Sequence, residues 1–94
     1  MSKRVRVVHL NDELDTKPET ILPDKYEFYW LLFHNVSSGT LYLSFDGTNW
    51  KRVDAGGTLE LTAPPDAKIC LTEPLKGKAS AEGLKYEMLM IVDY

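Results

Sequence analysis

Ninety-four residues, a formal charge of −3 and a single cysteine narrow the classes open to this chain. The length suits one domain with one core, burying roughly 60–65% of the surface exposed by the unfolded chain. The acidic balance does not predict nucleic-acid binding, which favours a concentrated basic face, so no nucleic-acid partner is expected.

Cys70 stands alone, so no intrachain disulfide and no thiolate metal cluster is expected. Lys3, Arg4 and Arg6 form a small basic start, read as a solvated end with a docking arm as the alternative, and no apolar run of a signal peptide follows them. The apolar run from Tyr29 to Phe33 is far too short to span a bilayer, so no membrane is expected.

In chain order, Arg4 to Leu10 alternates, with Val5 and Val7 opposite Arg4 and Arg6, and predicts a first, half-buried strand. Asn11 to Asp24 is polar, carries Pro18 and Pro23, and reads as a long extended connection with Leu14, Ile21 and Leu22 as anchors. Residues 1–24 are thus expected as a strand plus an arm, and residues 25–94 as the body of one domain. Lys25 to Asn35 predicts a strong strand. Tyr26, Phe28, Trp30 and Leu32 fall on one face and Tyr29, Leu31 and Phe33 on the other, so both faces are apolar.

Leu41 to Leu61 reads as a β-meander of three runs separated by Asp46-Gly47 and Ala55-Gly56-Gly57 turns. Pro64-Pro65 stops pairing. Ala67 to Thr72 alternates again, Glu73 to Gly83 reads as a second exposed loop, and Leu84 to Tyr94 closes as a long strand whose distal half is apolar on both sides.

Seven or so short strands broken by Gly and Pro predict an all-β single domain, an antiparallel β-sandwich or small barrel of jelly-roll-like kind. Its expected core is Val5, Val7, Phe28, Trp30, Leu41, Leu43, Phe45, Leu59, Leu61, Ile69, Leu71, Met88 and Met90. A sandwich has one interior, and Tyr29, Leu31, Phe33, Leu89 and Ile91 form a second apolar set. Burying one such side chain is worth about 1.5–3 kcal/mol. The surplus points to a covering partner, with Asn11–Asp24 as the intramolecular alternative.

Chemistry-bearing constellations are missing. His9 and His34 lack companions at zinc-ligand spacing, and Asp12, Glu13 and Asp15 lack the glycine and terminal Glu of an EF-hand loop. No nucleophile elbow or phosphate-binding glycine loop occurs. No enzyme activity, metal or cofactor is expected. Asn35-Val36-Ser37 matches the glycosylation sequon and, without a secretory signal, reads as a chance match. Trp50, with Tyr42, is the candidate ligand platform, since such rings stack on sugars or fill a partner's pocket; the competing reading is that Trp50 packs over the sandwich edge.

The stretch Asn35-Val36-Ser37-Ser38-Gly39-Thr40-Leu41-Tyr42-Leu43-Ser44-Phe45-Asp46-Gly47-Thr48-Asn49-Trp50, continued by Val53-Asp54-Ala55-Gly56-Gly57-Thr58-Leu59-Glu60-Leu61, resembles small β-sandwich virion proteins of tailed bacteriophages. The resemblance implies a non-enzymatic capsid decoration (cement) subunit on the outside of a phage head. Its partners would be the major capsid protein or other virion proteins, and it would form a homo-oligomer, a trimer by preference. It carries over no catalytic residues. A small tail or baseplate component, or a carbohydrate-binding module using Trp50, is the alternative.

Overall fold

The computed structural model describes residues 4–94. They form ten strands and no helix: β1 (Val5–Leu14), β2 (Glu19–Leu22), β3 (Glu27–Phe28), β4 (Trp30–Asn35), β5 (Leu41–Ser44), β6 (Lys51–Val53), β7 (Thr58–Thr62), β8 (Ile69–Cys70), β9 (Leu75–Ala79) and β10 (Leu84–Asp93). All pairing is antiparallel. β1 pairs with β10, β2 with β9, β3 with β8, β4 with β7 and β5 with β6, so the chain is one long hairpin folded at the β5–β6 turn. Two further ladders, β10 on β4 and β9 on β5, roll that hairpin into two four-stranded sheets. Their orders are β1-β10-β4-β7 and β2-β9-β5-β6, with β3-β8 as a short third ladder. This is a jelly roll, an all-β single-domain sandwich in which both sheets face one interior.

The interior is filled by alternate residues of each strand. Leu31, Phe33, Met88 and Met90 of the first sheet and Leu41, Leu43 and Leu75 of the second are 0% exposed. Phe45, Leu59, Leu61 and Ile69 pack on the rim of this cluster. Leu31 and Phe33 were expected on a partner-facing surface; they lie in the core instead. The reason is a β-bulge at Tyr29. Trp30 lies opposite Ile91, and the Tyr29 N–H also donates to the Ile91 carbonyl (2.7 Å), so two residues stand against one. The bulge resets the alternation. Phe28 points inward before it, and Leu31, Phe33 and Asn35 point inward after it.

The structure departs from four other expectations. The Leu41–Leu61 meander is broken, because β7 leaves β6 and pairs with β4 in the opposite sheet. Asn11–Asp24 is not an arm: β1 pairs with β10 as far as Leu14, and β2 pairs with β9, so this segment contributes to both sheets. Glu73–Gly83 is not one exposed loop, because it contains β9, a central strand of the second sheet. Its inward positions are Leu75, Gly77 and Ala79, with Lys76 and Lys78 facing out. Packing is tight at Gly77, where a Cβ would sit 2.6 Å from Ile21 Cδ1 and 2.8 Å from Leu14 Cδ1 and those side chains would have to shift. Val5 and Val7, expected in the core, are 46% and 66% exposed, and Trp30 faces outward.

Asn35 fixes the corner where the chain passes between sheets. It is fully buried, and its Nδ2 donates to the carbonyls of Gly39 and Val53 (both 2.9 Å). Its Oδ1 accepts from the Ser37 N–H and Oγ–H, while its backbone bonds Gly56 and Gly57. An amide so enclosed is closed to glycan attachment.

Two stability predictions follow from this packing. In urea melts, Phe33→Ala should cost about 3–5 kcal/mol, while Leu32→Ala, next door but facing outward, should cost under about 1 kcal/mol. Asn35→Leu should cost about 2–4 kcal/mol, because it strands two buried carbonyls and the Ser37 donors.

Candidate functional site

The outer face of the first sheet is built by the residues that the bulge turns outward. Cross-strand register aligns Val7, Ile91, Trp30 and Thr62 in one row, and His9, Leu89, Leu32 and Glu60 in the next. Residues directly opposite on adjacent strands share a face. Val7, Trp30, Leu32, Leu89 and Ile91 therefore make a contiguous apolar patch on the side of the sheet turned away from the core. Trp30, Leu32, Leu89 and Ile91 are partly exposed and Val7 mostly so.

The patch has a polar rim. At one end Tyr29 donates its hydroxyl to Asp93 Oδ1 (2.6 Å), and Lys68 Nζ binds Asp93 Oδ2 (2.7 Å) with Glu27 at 3.6 Å. The hydrogen bond to Asp93 comes first, and the nearby carboxylates add to it, in holding the Lys68 ammonium above its ordinary pKa. Along the β7 side, Trp30 Nε1 donates to Glu60 Oε2 (2.6 Å), which anchors the indole while leaving its ring on the surface. Glu87, His34, Asn11 and Thr58 make the row at the far end. An apolar centre with a hydrogen-bonded polar rim is the anatomy of a protein contact surface. Of the expected interface residues, Tyr29, Leu89 and Ile91 belong to this face. Trp30, Leu32 and Val7 replace Leu31 and Phe33.

The outer face of the second sheet differs in character. Tyr42 pairs with Lys78 and Arg52, and Ser44 with Lys76, so this face is basic. The structure brings Tyr42 and Trp50 together: Lys78 Nζ lies 4.4 Å from the Trp50 ring centroid and 5.8 Å from that of Tyr42. The ammonium covers both rings in cation–π geometry. Arg52 binds Asp54 (2.5 Å), a hydrogen bond that raises the guanidinium pKa further.

Beside Trp50, the hairpin tip is organised by Asp46. Its carboxylate accepts from the Thr48 and Asn49 N–H groups, the Asn49 amide and the Ser44 hydroxyl, and sits well below the usual carboxylate pKa. The bonds from Asn49 are the leading cause.

Among the described residues no group of three or more His, Cys, Asp or Glu side chains converges to hold a metal. Asp12, Glu13 and Asp15 run along β1 and past its end, where Asp15 Oδ1 accepts the Gly83 N–H (3.0 Å). Cys70 is exposed on β8. A surface depression of about 390 Å³ lies beside β1 and β10 between Asp12, Glu13, Lys85 and Glu87. No helix of the described residues is long and apolar enough to cross a membrane.

By sequence, no protein-family model and no curated protein matches the chain. By structure, it is similar to a capsid protein of Helicobacter pylori bacteriophage KHP30, with TM-score 0.57, 8% identity, and 100% of this chain matched to 90% of that one. It is similar to the virus-like particle protein of Macrobrachium rosenbergii extra small virus, with TM-score 0.56, 8% identity, 97% of this chain and 78% of the other. It is also similar to an HTH_3 family transcriptional regulator from Vibrio cholerae, with TM-score 0.52 and 16% identity. That match takes in 98% of this chain but only 44% of the regulator. Cupin proteins and a Bacillus endospore pilus protein share the fold as well. Identities this low establish the jelly roll and nothing finer about activity.

The inner end of the first sheet carries a pH signature. Tyr86 stacks on Phe33 with ring centroids 5.1 Å apart. Burial, followed by the charges of Asp12 and Glu19, pushes its phenol from 10.0 up to about 12. The folded state therefore holds a proton that the unfolded chain releases first. The stabilisation is full below pH 10.0 and is lost as pH rises toward about 12. Alkaline unfolding should be steeper for the native chain than for Tyr86→Phe, a comparison that denaturant melts across that window resolve.

Proposed function

We propose that this chain is a non-enzymatic structural protein of a virion, a capsid decoration subunit that seats the outer face of its first sheet against shell proteins of a phage head. The observation that carries the reading is that face itself. The interior of the sandwich is already filled by Leu31, Phe33, Met88 and Met90, yet Val7, Trp30, Leu32, Leu89 and Ile91 lie in register on the opposite side of the same sheet. Full burial of one such side chain is worth about 1.5–3 kcal/mol, and a neighbouring subunit that covers the exposed parts of these recovers a share of that. The resemblance of Asn35–Trp50 to phage virion proteins supports the reading, and so does the jelly-roll likeness to two viral capsid structures. The acidic net charge suits a place outside the shell, away from packaged DNA.

A carbohydrate-binding module fits less well, because Lys78 covers the Trp50 and Tyr42 rings. The head location separates from a tail location by composition analysis of purified particles followed by electron microscopy of them. Leu32→Asp and Ile91→Asp should each leave far-UV circular dichroism and the melting temperature near those of the native chain, since neither residue faces the core. Each should weaken co-sedimentation with undecorated shells at least about tenfold, the loss expected for a charge set into an apolar contact. Unchanged co-sedimentation would remove the proposal.

A further inference from the structure

β1 is an edge strand of unusual length for its place. It runs ten residues, Val5–Leu14, and pairs only with β10. The Tyr94 N–H donates to the Arg4 carbonyl, so the backbone groups of the even-numbered residues of β1 point toward β10. Those of Val5, Val7, His9, Asn11 and Glu13 point off the sheet. Among the described residues, the Glu13 N–H is the one of these donors that finds a side-chain acceptor, Asp12 Oδ1 (2.8 Å). Natural sandwiches blunt such edges with short strands, prolines, bulges or charged side chains; β1 is long, has no proline and keeps one register with β10, and its charges are Arg6, Asp12 and Glu13. Its two exposed large apolar side chains, Val5 at 46% and Val7 at 66%, stand on the edge and extend the apolar face of the sheet to its border.

The charges on β1 are sorted by sign along the strand. Arg4 and Arg6 lie at the start, and Asp12 and Glu13 at the end. A strand that is positive at one end and negative at the other complements its own antiparallel copy and opposes a parallel one.

We propose that the free edge of β1 is a self-pairing surface, where two copies of this chain join β1 to β1 antiparallel and continue the four-stranded sheet into one of eight strands. For the apolar faces of the two copies to lie on the same side, odd-numbered residues must meet odd-numbered ones. Registers centred on Val8 and on His9 both satisfy this. The first sets Asp12 across from Arg4 of the second copy, the other across from Arg6. In either, Val7 gains a neighbour and the outward N–H and C=O groups gain partners. The contact has two-fold symmetry, so the solution species is a dimer rather than the trimer that the phage resemblance implies. This inference stands on backbone direction and charge order, and does not need the virion reading.

Multi-angle light scattering and sedimentation equilibrium on the full chain test it. The native chain should be a dimer. Val7→Pro removes an outward N–H without touching the β1–β10 ladder, and Val7→Lys places a charge on the same edge. Both should give folded monomers, shown by unchanged circular dichroism. Asp12→Arg should raise the dimer dissociation constant about tenfold, and the triple reversal Arg4→Asp, Arg6→Asp, Asp12→Arg should restore it. A native monomer at about 1 mM, a trimer, or a dimer indifferent to all of these changes would overturn the proposal. A monomer that still binds shells would overturn the self-pairing alone, and a β1-dependent dimer absent from particles would overturn the virion reading alone.

Discussion

The arrangement of this molecule turns on the bulge at Tyr29. Without it, the strand from Phe28 onward would keep one alternation, and Trp30 and Leu32 would join Phe28 in the core while Leu31 and Phe33 faced out. One extra residue against Ile91 reverses that order. Tyr29 is held from several sides. Its N–H bonds the Ile91 carbonyl, its carbonyl accepts the Ala63 N–H, and its hydroxyl binds Asp93. The bulge therefore ties β4 to both of its neighbours, and it decides which apolar set is hidden and which is shown.

The rest of the fold carries that decision across the sandwich. Five nested pairings make a single rolled hairpin, and the roll needs corners where backbone leaves one sheet for the other. Asn35 supplies one such corner, spending its whole hydrogen-bonding capacity on Gly39, Val53, Ser37, Gly56 and Gly57. A satisfied buried polar group of this kind specifies a unique arrangement more than it adds net stability. The outcome is a sheet with a packed inner face, an apolar outer face and an open edge, all in register with one another.

Much of the architecture was legible in the sequence. Alternation and Gly/Pro breaks give an all-β sandwich, and the inward positions of Leu41, Leu43, Met88 and Met90 follow from period two alone. The surplus of apolar side chains was legible too, but not the side on which it falls. Counting by twos through Tyr29 inverts every later residue, and nothing in the residue types around Tyr29 announces a bulge. β9 was hidden for a different reason. At Gly77 the side chains of Leu14 and Ile21 crowd the space a Cβ would take, and a glycine and an alanine among lysines read as a loop. The meander failed at Ala55-Gly56-Gly57 because a turn signal marks a reversal without saying which sheet receives the next strand. Val5 and Val7 were placed in the core by their alternation with arginines, which is equally the pattern of a strand at an open edge.

The two sheets thus present different surfaces. The second is basic and self-satisfied, with Lys78 over Tyr42 and Trp50, while the first keeps an apolar centre inside a polar rim. The central claim is that this first face is covered in the working assembly, and the indole of Trp30 reports on it directly. In a Trp50→Phe background, acrylamide quenching of Trp30 fluorescence should be substantial for the free chain and largely lost once the chain is bound to phage shells. Equal quenching in the two states would contradict the account.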